Sequence, residues 1–369
     1  MSRRGTLRSG VQSKVIATAG FDGAAFMTAG LYRGLVALAA VIAGGCQGVA
    51  PDVAPATAAA AVRVVETRPL MGVAWSITVF AADRDAARRA IDAGFAEAAR
   101  IERVLSDYDP ASELSRLSAA APTPQPVPVG DDLWNVLVRA DEIQRLSDGA
   151  FDLTVGPLTT LWRQSRRSGH LPRPDRLTAA RNTVGWHLVA LDPERRAVSL
   201  SRPGMRLDPG GIGMGYAVDR VLAVLTERGI AAAMVDASGD VGVSGPPPGA
   251  AGWRVRVDAV PGADAGQTLV LAHAAVTTSG DARQFVEIDG RRYSHVVDPR
   301  SGMGVSGPAA VTVIAADCTT ADALATAASV LGPEAGPALV AALPGAAARF
   351  FWLDGQAPQT VVTPGWPRP

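Results

Sequence analysis

Asp208–Asp219 reads DPGGIGMGYAVD, with Gly210, Gly211, Gly213 and Gly215 standing directly before a run of helical spacing. The exposed N–H groups and dipole of a helix start attract an anion, and glycines let the backbone approach a pyrophosphate closely. In a dinucleotide-binding βαβ unit such glycines follow a buried parallel strand, and Asp236 would then be the ribose-binding acid. The lead-in here is only Met205-Arg206-Leu207, followed by Asp208-Pro209. No buried strand runs into the glycines, which argues against a doubly wound parallel sheet. Taken alone, the segment is also compatible with a plain glycine-rich turn.

Outward from this segment, helices and strands alternate without a βαβ rhythm. Val62–Pro69 and Trp75–Phe80 have strand character. Asp83–Leu105 follows as a helix, with Ile91, Phe95, Ala98, Ile101 and Leu105 on one face, and Asp131–Leu146 repeats the pattern. Prolines at 122, 124, 126 and 128 mark a surface loop between them. A hairpin is expected over Gly185–Leu200 and a helix over Tyr216–Arg228. Further strands are expected at Ala232–Val235, Trp253–Val257, Leu269–Val276, Phe285–Ile288, Tyr293–Val297 and Ala310–Ala315, with Asp289-Gly290 as a hairpin turn. The pattern predicts an α+β fold, one large domain over residues 62–369 with mixed antiparallel sheets and packed helices.

The composition bounds the function classes. A 369-residue chain that is 48% hydrophobic and 19% charged buries a large core. Its formal net charge is zero and Lys14 is its sole lysine, so no net field draws it to nucleic acid, and no nucleic-acid partner is expected. Arg33 precedes an apolar run, Leu35–Ile42, that ends in Ala43-Gly44-Gly45-Cys46. Residues 1–46 therefore read as an export signal whose apolar run is too short to span a bilayer stably, with Cys46 placed as in a bacterial lipobox. Lipidation at Cys46 would anchor the protein to the inner membrane, facing the periplasm; an ordinary cleaved signal and an uncleaved anchor are the alternatives. Residues 47–61, which include PDVAPATAAAA, read as a flexible tether. Only Cys318 then remains in the body, so no internal disulfide is expected.

Two further segments carry candidate chemistry. Asp322 and Thr326 are four apart in ADALAT on a predicted helix, so both project from one face. Carboxylate plus hydroxyl is a hard oxygen set suited to Mg²⁺, although Asp322 alone also reads as a charge stabilising the helix dipole. His295 lies in YSHVVDPRSG, a strand running into a turn, where a lone histidine is more often structural than catalytic. No zinc spacing, nucleophile elbow or phosphate loop occurs.

Together these segments resemble the ApbE family of flavin transferases. Its landmarks stand in order: Met71-Gly72 before Trp75, Tyr108 with Ser112-Glu113-Leu114, GAFDLTVGP at 149–157 with Leu161-Trp162, DPGGIGMGYAVD, SGD at 238, TSGD at 278, YSHVVDPRSG and ADALAT. The resemblance implies a T-fold-like domain that binds FAD and Mg²⁺ and moves FMN onto a Ser or Thr hydroxyl of an acceptor protein, releasing AMP. It places Met71, Tyr108, Ala150, Phe151, Asp152, Asp208, Met214 and Val296 against the flavin nucleotide. Mg²⁺ would be held by the Gly211 carbonyl, Asp322 and Thr326, with Ala325 at a further position of the metal helix. His295 would assist transfer, and Asp281 is a second candidate on the acceptor side. The acceptor would carry an Asp-x-x-Ser/Thr-Gly-Ala-Ser/Thr motif, in a membrane redox complex subunit or an exported flavoprotein.

Two positions depart from the family pattern. Met214 stands where the family usually has Lys, which leaves Arg206, Arg283 or Arg300 as substitute cations, and Ala325 stands where a hydroxyl residue is common. The alternative functions are a Mg²⁺-dependent FAD pyrophosphatase and a non-catalytic FAD-binding lipoprotein.

Overall fold

The computed structural model describes residues 61–257, 266–280, 285–306, 310–354 and 357–368. The signal and tether expected before residue 61, Cys46 among them, and the candidates Asp281 and Arg283 lie outside the described residues.

Eight strands form the central sheet: Val62–Leu70, Val73–Ala81, Ala232–Ala237, Asp240–Val243, Ala274–Ser279, Ala310–Ala315, Ala347–Asp354 and Ala357–Val362. Their spatial order is their chain order, and every neighbouring pair is antiparallel. The helices are α1 (Arg84–Leu105), α2 (Glu113–Ala119), α3 (Asp131–Leu146), α4 (Gly156–Ser168), α5 (Pro174–Arg181), α6 (Gly213–Glu227) and α7 (Cys318–Ala341). All but α7 are inserted between Val73–Ala81 and Ala232–Ala237, which nevertheless pair directly, Trp75 opposite Ala237. This is the predicted α+β architecture, antiparallel sheets with packed helices.

Side-chain alternation explains the layers. In Ala232–Ala237, Ala233, Val235 and Ala237 join the helical core, whereas Ala232 and Met234 face the other way, toward the hairpin of Trp253–Val257 and Gln267–Leu271. Ala310–Ala315 is buried on both faces and is apolar except for Thr312, whose hydroxyl pairs with that of Thr278 at 2.9 Å. α1 starts where Asp83 accepts a hydrogen bond from the Ala86 N–H at 2.7 Å, and it buries Ile91, Phe95 and Ile101. Each such side chain contributes about 1.5–3 kcal/mol on burial. α7 follows strand Ala310–Ala315 and lies in the core through Ser329. Its helix is interrupted at Gly332, whose φ of 72° precedes Pro333.

The strand expected over Leu269–Val276 is two strands in two sheets. His273, at φ 49°, turns the chain between Gln267–Leu271 and Ala274–Ser279. The proline-rich loop contains one short edge pairing, Val127–Pro128 against Ala197–Val198. Asp289 and Gly290, at φ 52° and 74°, form the expected tight turn between Phe285–Ile288 and Arg291–Ser294.

Candidate functional site

The glycine-rich segment and the ADALAT helix meet along a seam with a four-residue step on both sides. A Cβ placed on Gly211 would lie 2.7 Å from Thr326 Oγ1, and one on Gly215 would lie 2.9 Å from Asp322 Cβ and 2.3 Å from the Cys318 carbonyl oxygen. The Gly215 N–H donates to Asp322 Oδ2 at 3.2 Å. Asp219 accepts from the N–H groups of Cys318 and Thr319, both at 2.8 Å, and so caps α7. Positions 211, 215 and 219 therefore oppose 326, 322 and 318, and the glycines permit the approach. Burial, with Asp240 adding to it, holds the Asp322 carboxyl well above the ordinary carboxylate range.

The Gly211–Thr326 end of this seam opens into a cavity of about 670 Å³. Met71, Tyr108, Ala150, Phe151, Asp152, Asp208, Gly211, Met214, His295, Val296 and Thr326 all line it. Residues separated by more than 250 positions in sequence are thus brought to one chamber. Asp322 and Ala325 lie beneath the lining, buried on α7. Ala325 contributes only a buried methyl group, and its carbonyl accepts from Ser329 Oγ at 2.8 Å, so its side chain offers a cation no oxygen.

Asp208 is nearly saturated by the protein. Its Oδ2 accepts from Thr159 Oγ1 at 2.5 Å and from Arg163 Nη2 at 2.9 Å, and its Oδ1 accepts from the Gly210 N–H at 2.9 Å. The carboxylate thus organises the glycine turn. Asp152 likewise takes the Thr154 N–H at 2.8 Å and the Thr154 hydroxyl at 2.7 Å, while burial raises its carboxyl above the usual value.

His295 sits just past the end of strand Arg291–Ser294, on a bend, where the sequence suggested continuous strand to Val297. The segment closes back on itself: the Ser294 N–H donates to the Val305 carbonyl at 2.8 Å, and the Val305 N–H to the Val296 carbonyl at 2.9 Å. Trp162 of α4 fastens this loop through Nε1–H to the Gly302 carbonyl at 2.8 Å and a ring contact with Tyr293 at 5.1 Å between centroids.

The ApbE family pattern matches residues 71–350. The chain belongs to the ApbE family. The FAD:protein FMN transferase of Salmonella typhimurium is 31% identical to it over 312 residues, covering 82% of this chain and 87% of that protein. The enzyme of the same name from Vibrio cholerae is 32% identical over 243 residues, covering 64% and 72%. The apo crystal structure of the flavinyl transferase ApbE from Pseudomonas stutzeri superposes with a TM-score of 0.74 at 32% identity, covering 83% of this chain and 96% of that one.

Within this ApbE chain, the two described residues among the substitute cations suggested by the sequence, Arg206 and Arg300, do not line the cavity. Arg206 pairs with Asp107 at 3.7 Å, and Arg300 pairs with Asp298 at 3.0 Å and borders a separate cleft. The arginines of the cavity wall are Arg163 and Arg166 on α4, and Met214 adds an apolar surface. Sequence reading passed over Arg163, Asp107 and Thr159. The available signal was the i, i+4 spacing of Thr159 and Arg163 on a helix opened by Gly156-Pro157.

The residues on the seam fit a hard divalent cation. Asp322 supplies a buried carboxylate, Thr326 a hydroxyl and Gly211 a backbone carbonyl, and the absence of a side chain at 211 leaves the approach to Thr326 open.

Proposed function

We propose that the protein is an FAD:protein FMN transferase that moves FMN from FAD to a Ser or Thr hydroxyl of an acceptor protein, with Mg²⁺, and releases AMP. The observation that carries this reading is the opening of the Gly211–Thr326 seam into the same cavity as Tyr108 and His295. The names of the relatives support it: they are flavin transferases that take FAD as donor.

Tyr108 offers an aromatic face to the flavin, and Ala150, Phe151 and Asp152 line the same chamber. The N–H groups of Gly210, Ile212, Gly213 and Gly215 are taken up within the protein, so those of Gly211 and Met214 at the start of α6 are the ones that would meet the pyrophosphate. Mg²⁺ held by Gly211, Asp322 and Thr326 would neutralise charge on the phosphates. The acceptor oxygen forms a bond to the FMN phosphorus while the bond from that phosphorus to the bridging oxygen breaks. AMP departs with that oxygen, and His295 orients the hydroxyl and accepts its proton.

The acceptor is a protein with an Asp-x-x-Ser/Thr-Gly-Ala-Ser/Thr motif, of a membrane redox complex or an exported flavoprotein, and the enzyme works in the periplasm, anchored to the inner membrane through Cys46. The test is incubation of the purified protein with FAD, MgCl₂ and an acceptor bearing that motif, read by intact mass and by AMP release. An FMN-sized addition that disappears in Asp322→Ala supports transfer. AMP without addition moves the reading to an FAD pyrophosphatase. Bound FAD with neither product favours a non-catalytic binder, a reading motivated by Met214 in the cavity wall.

A further inference from the structure

Tyr108 is 75% exposed. An aromatic side chain that open to solvent keeps no fixed ring plane unless something lies against it. Arg163 does: its guanidinium carbon stands 4.4 Å from the Tyr108 ring centroid. Arg163 is itself fixed from two sides, by Nη1 to Asp107 Oδ2 at 2.5 Å and by Nη2 to Asp208 Oδ2 at 2.9 Å, and only 19% of its side chain is exposed. Asp107 and Asp208 are buried to a similar degree, so each needs the cation, and the planar fork satisfies both while leaving its flat face for the ring. Thr159, one turn earlier on α4, completes the arrangement by donating to Asp208. The helix thus links the 106–109 turn to the glycine turn through one side chain.

We propose that Arg163 is a positioning residue for the flavin nucleotide, holding the Tyr108 ring in the plane on which the flavin stacks, with Asp107 and Asp208 serving as its anchors. The inference rests on the flavin-transferase reading. A lysine here can neutralise one carboxylate but lacks a planar face and a second donor arm in the right geometry. Arg163→Lys therefore keeps the charge and loses the plate.

The experiment measures FAD KM, kcat and the absorbance shift of bound flavin for the wild type, Arg163→Lys, Tyr108→Leu and the double variant, each with its thermal midpoint. Arg163→Lys is expected to raise the KM for FAD about fivefold, the upper end of the scale for a cation–π contact on an exposed ring, with kcat within about twofold and a smaller absorbance shift. In the Tyr108→Leu background the same change should cost less than about twofold, because its effect passes through the ring. A wild-type KM and spectrum in Arg163→Lys overturns the proposal, and so does a penalty that persists undiminished without the Tyr108 ring. Should Arg163→Lys fold poorly, Tyr108→Phe with Arg163 intact gives the second reading: it must retain the absorbance shift, since the ring and not the hydroxyl carries the contact. Failure of the wild type to bind FAD removes the flavin-transferase reading itself.

Discussion

Gly215 is where the chemistry depends on the absence of a single carbon atom. It lies inside α6, so its backbone is ordinary and its role is purely spatial. Gly215→Ala would press a methyl group onto the Cys318 carbonyl, and relief requires α6 and α7 to part. The expected cost is about 1–3 kcal/mol of stability, as for other overpacked contacts, together with loss of Mg²⁺-dependent turnover because Asp322 moves with α7. Urea midpoints and transferase assays at several Mg²⁺ concentrations check this, and an unchanged Mg²⁺ dependence would show that the seam does not set the cation site. One position away, Met214→Lys places a cation on the cavity wall. It is expected to lower the KM for FAD by about three- to tenfold through attraction to the diphosphate, with a steeper salt dependence. An unchanged KM would mean that α4 already supplies the charge.

At the scale of elements, α1, α3 and α6 are joined by a network of charges on their outer edges. Arg100 donates to Glu97 at 2.8 Å and to Asp132 at 2.6 Å, Arg220 reaches Glu97 at 3.2 Å, and the Tyr216 hydroxyl donates to Asp132 at 2.9 Å. The bond from Arg100 holds Glu97 below its ordinary value of 4.5. For Asp132 burial acts upward, yet bonds from Arg100 and Tyr216 bring it below 3.8. Both folded values are depressed, so the unfolded chain binds more protons on acidification, and the stability these groups contribute is lost as the pH falls through their folded values. Arg100 is partly exposed, so the contribution is modest. The excess of the wild-type thermal midpoint over that of Arg100→Met should shrink between about pH 5 and pH 3; a difference that does not change with pH would refute the assignment.

The same scale shows what the sequence made legible. α1 and α3 were readable because each is an amphipathic helix whose apolar stripe repeats for four or more turns, with Asp83 as a visible cap. α4 was not, because its signal is divided: Leu158 and Trp162 face one cluster while Thr159 and Arg163 face the cavity. The two strands flanking His273 merged into one expectation because both are apolar and the left-handed turn residue carries no glycine signature.

Across the whole molecule, the cavity is built from segments that the chain reaches at widely separated times: the 71–73 turn, the 105–108 loop, the start of α4, the glycine turn, the His295 loop and α7. Motifs identified those segments individually, but their convergence follows from the antiparallel sheet, in which Val73–Ala81 pairs with Ala232–Ala237 across the whole helical insertion. A ligand that touches all of these segments must oppose global unfolding. Free FAD at about a hundred times its Kd contributes about 2.7 kcal/mol, which for a domain of this size raises the thermal midpoint by roughly 4 °C. The seam adds a condition: because Gly211, Asp322 and Thr326 join α6 to α7, the rise with FAD and Mg²⁺ together should exceed the sum of the separate rises, and Asp322→Ala should abolish the excess. Differential scanning calorimetry of the four combinations decides it. Additive rises, or an excess that survives in Asp322→Ala, would place the cation elsewhere than on this seam.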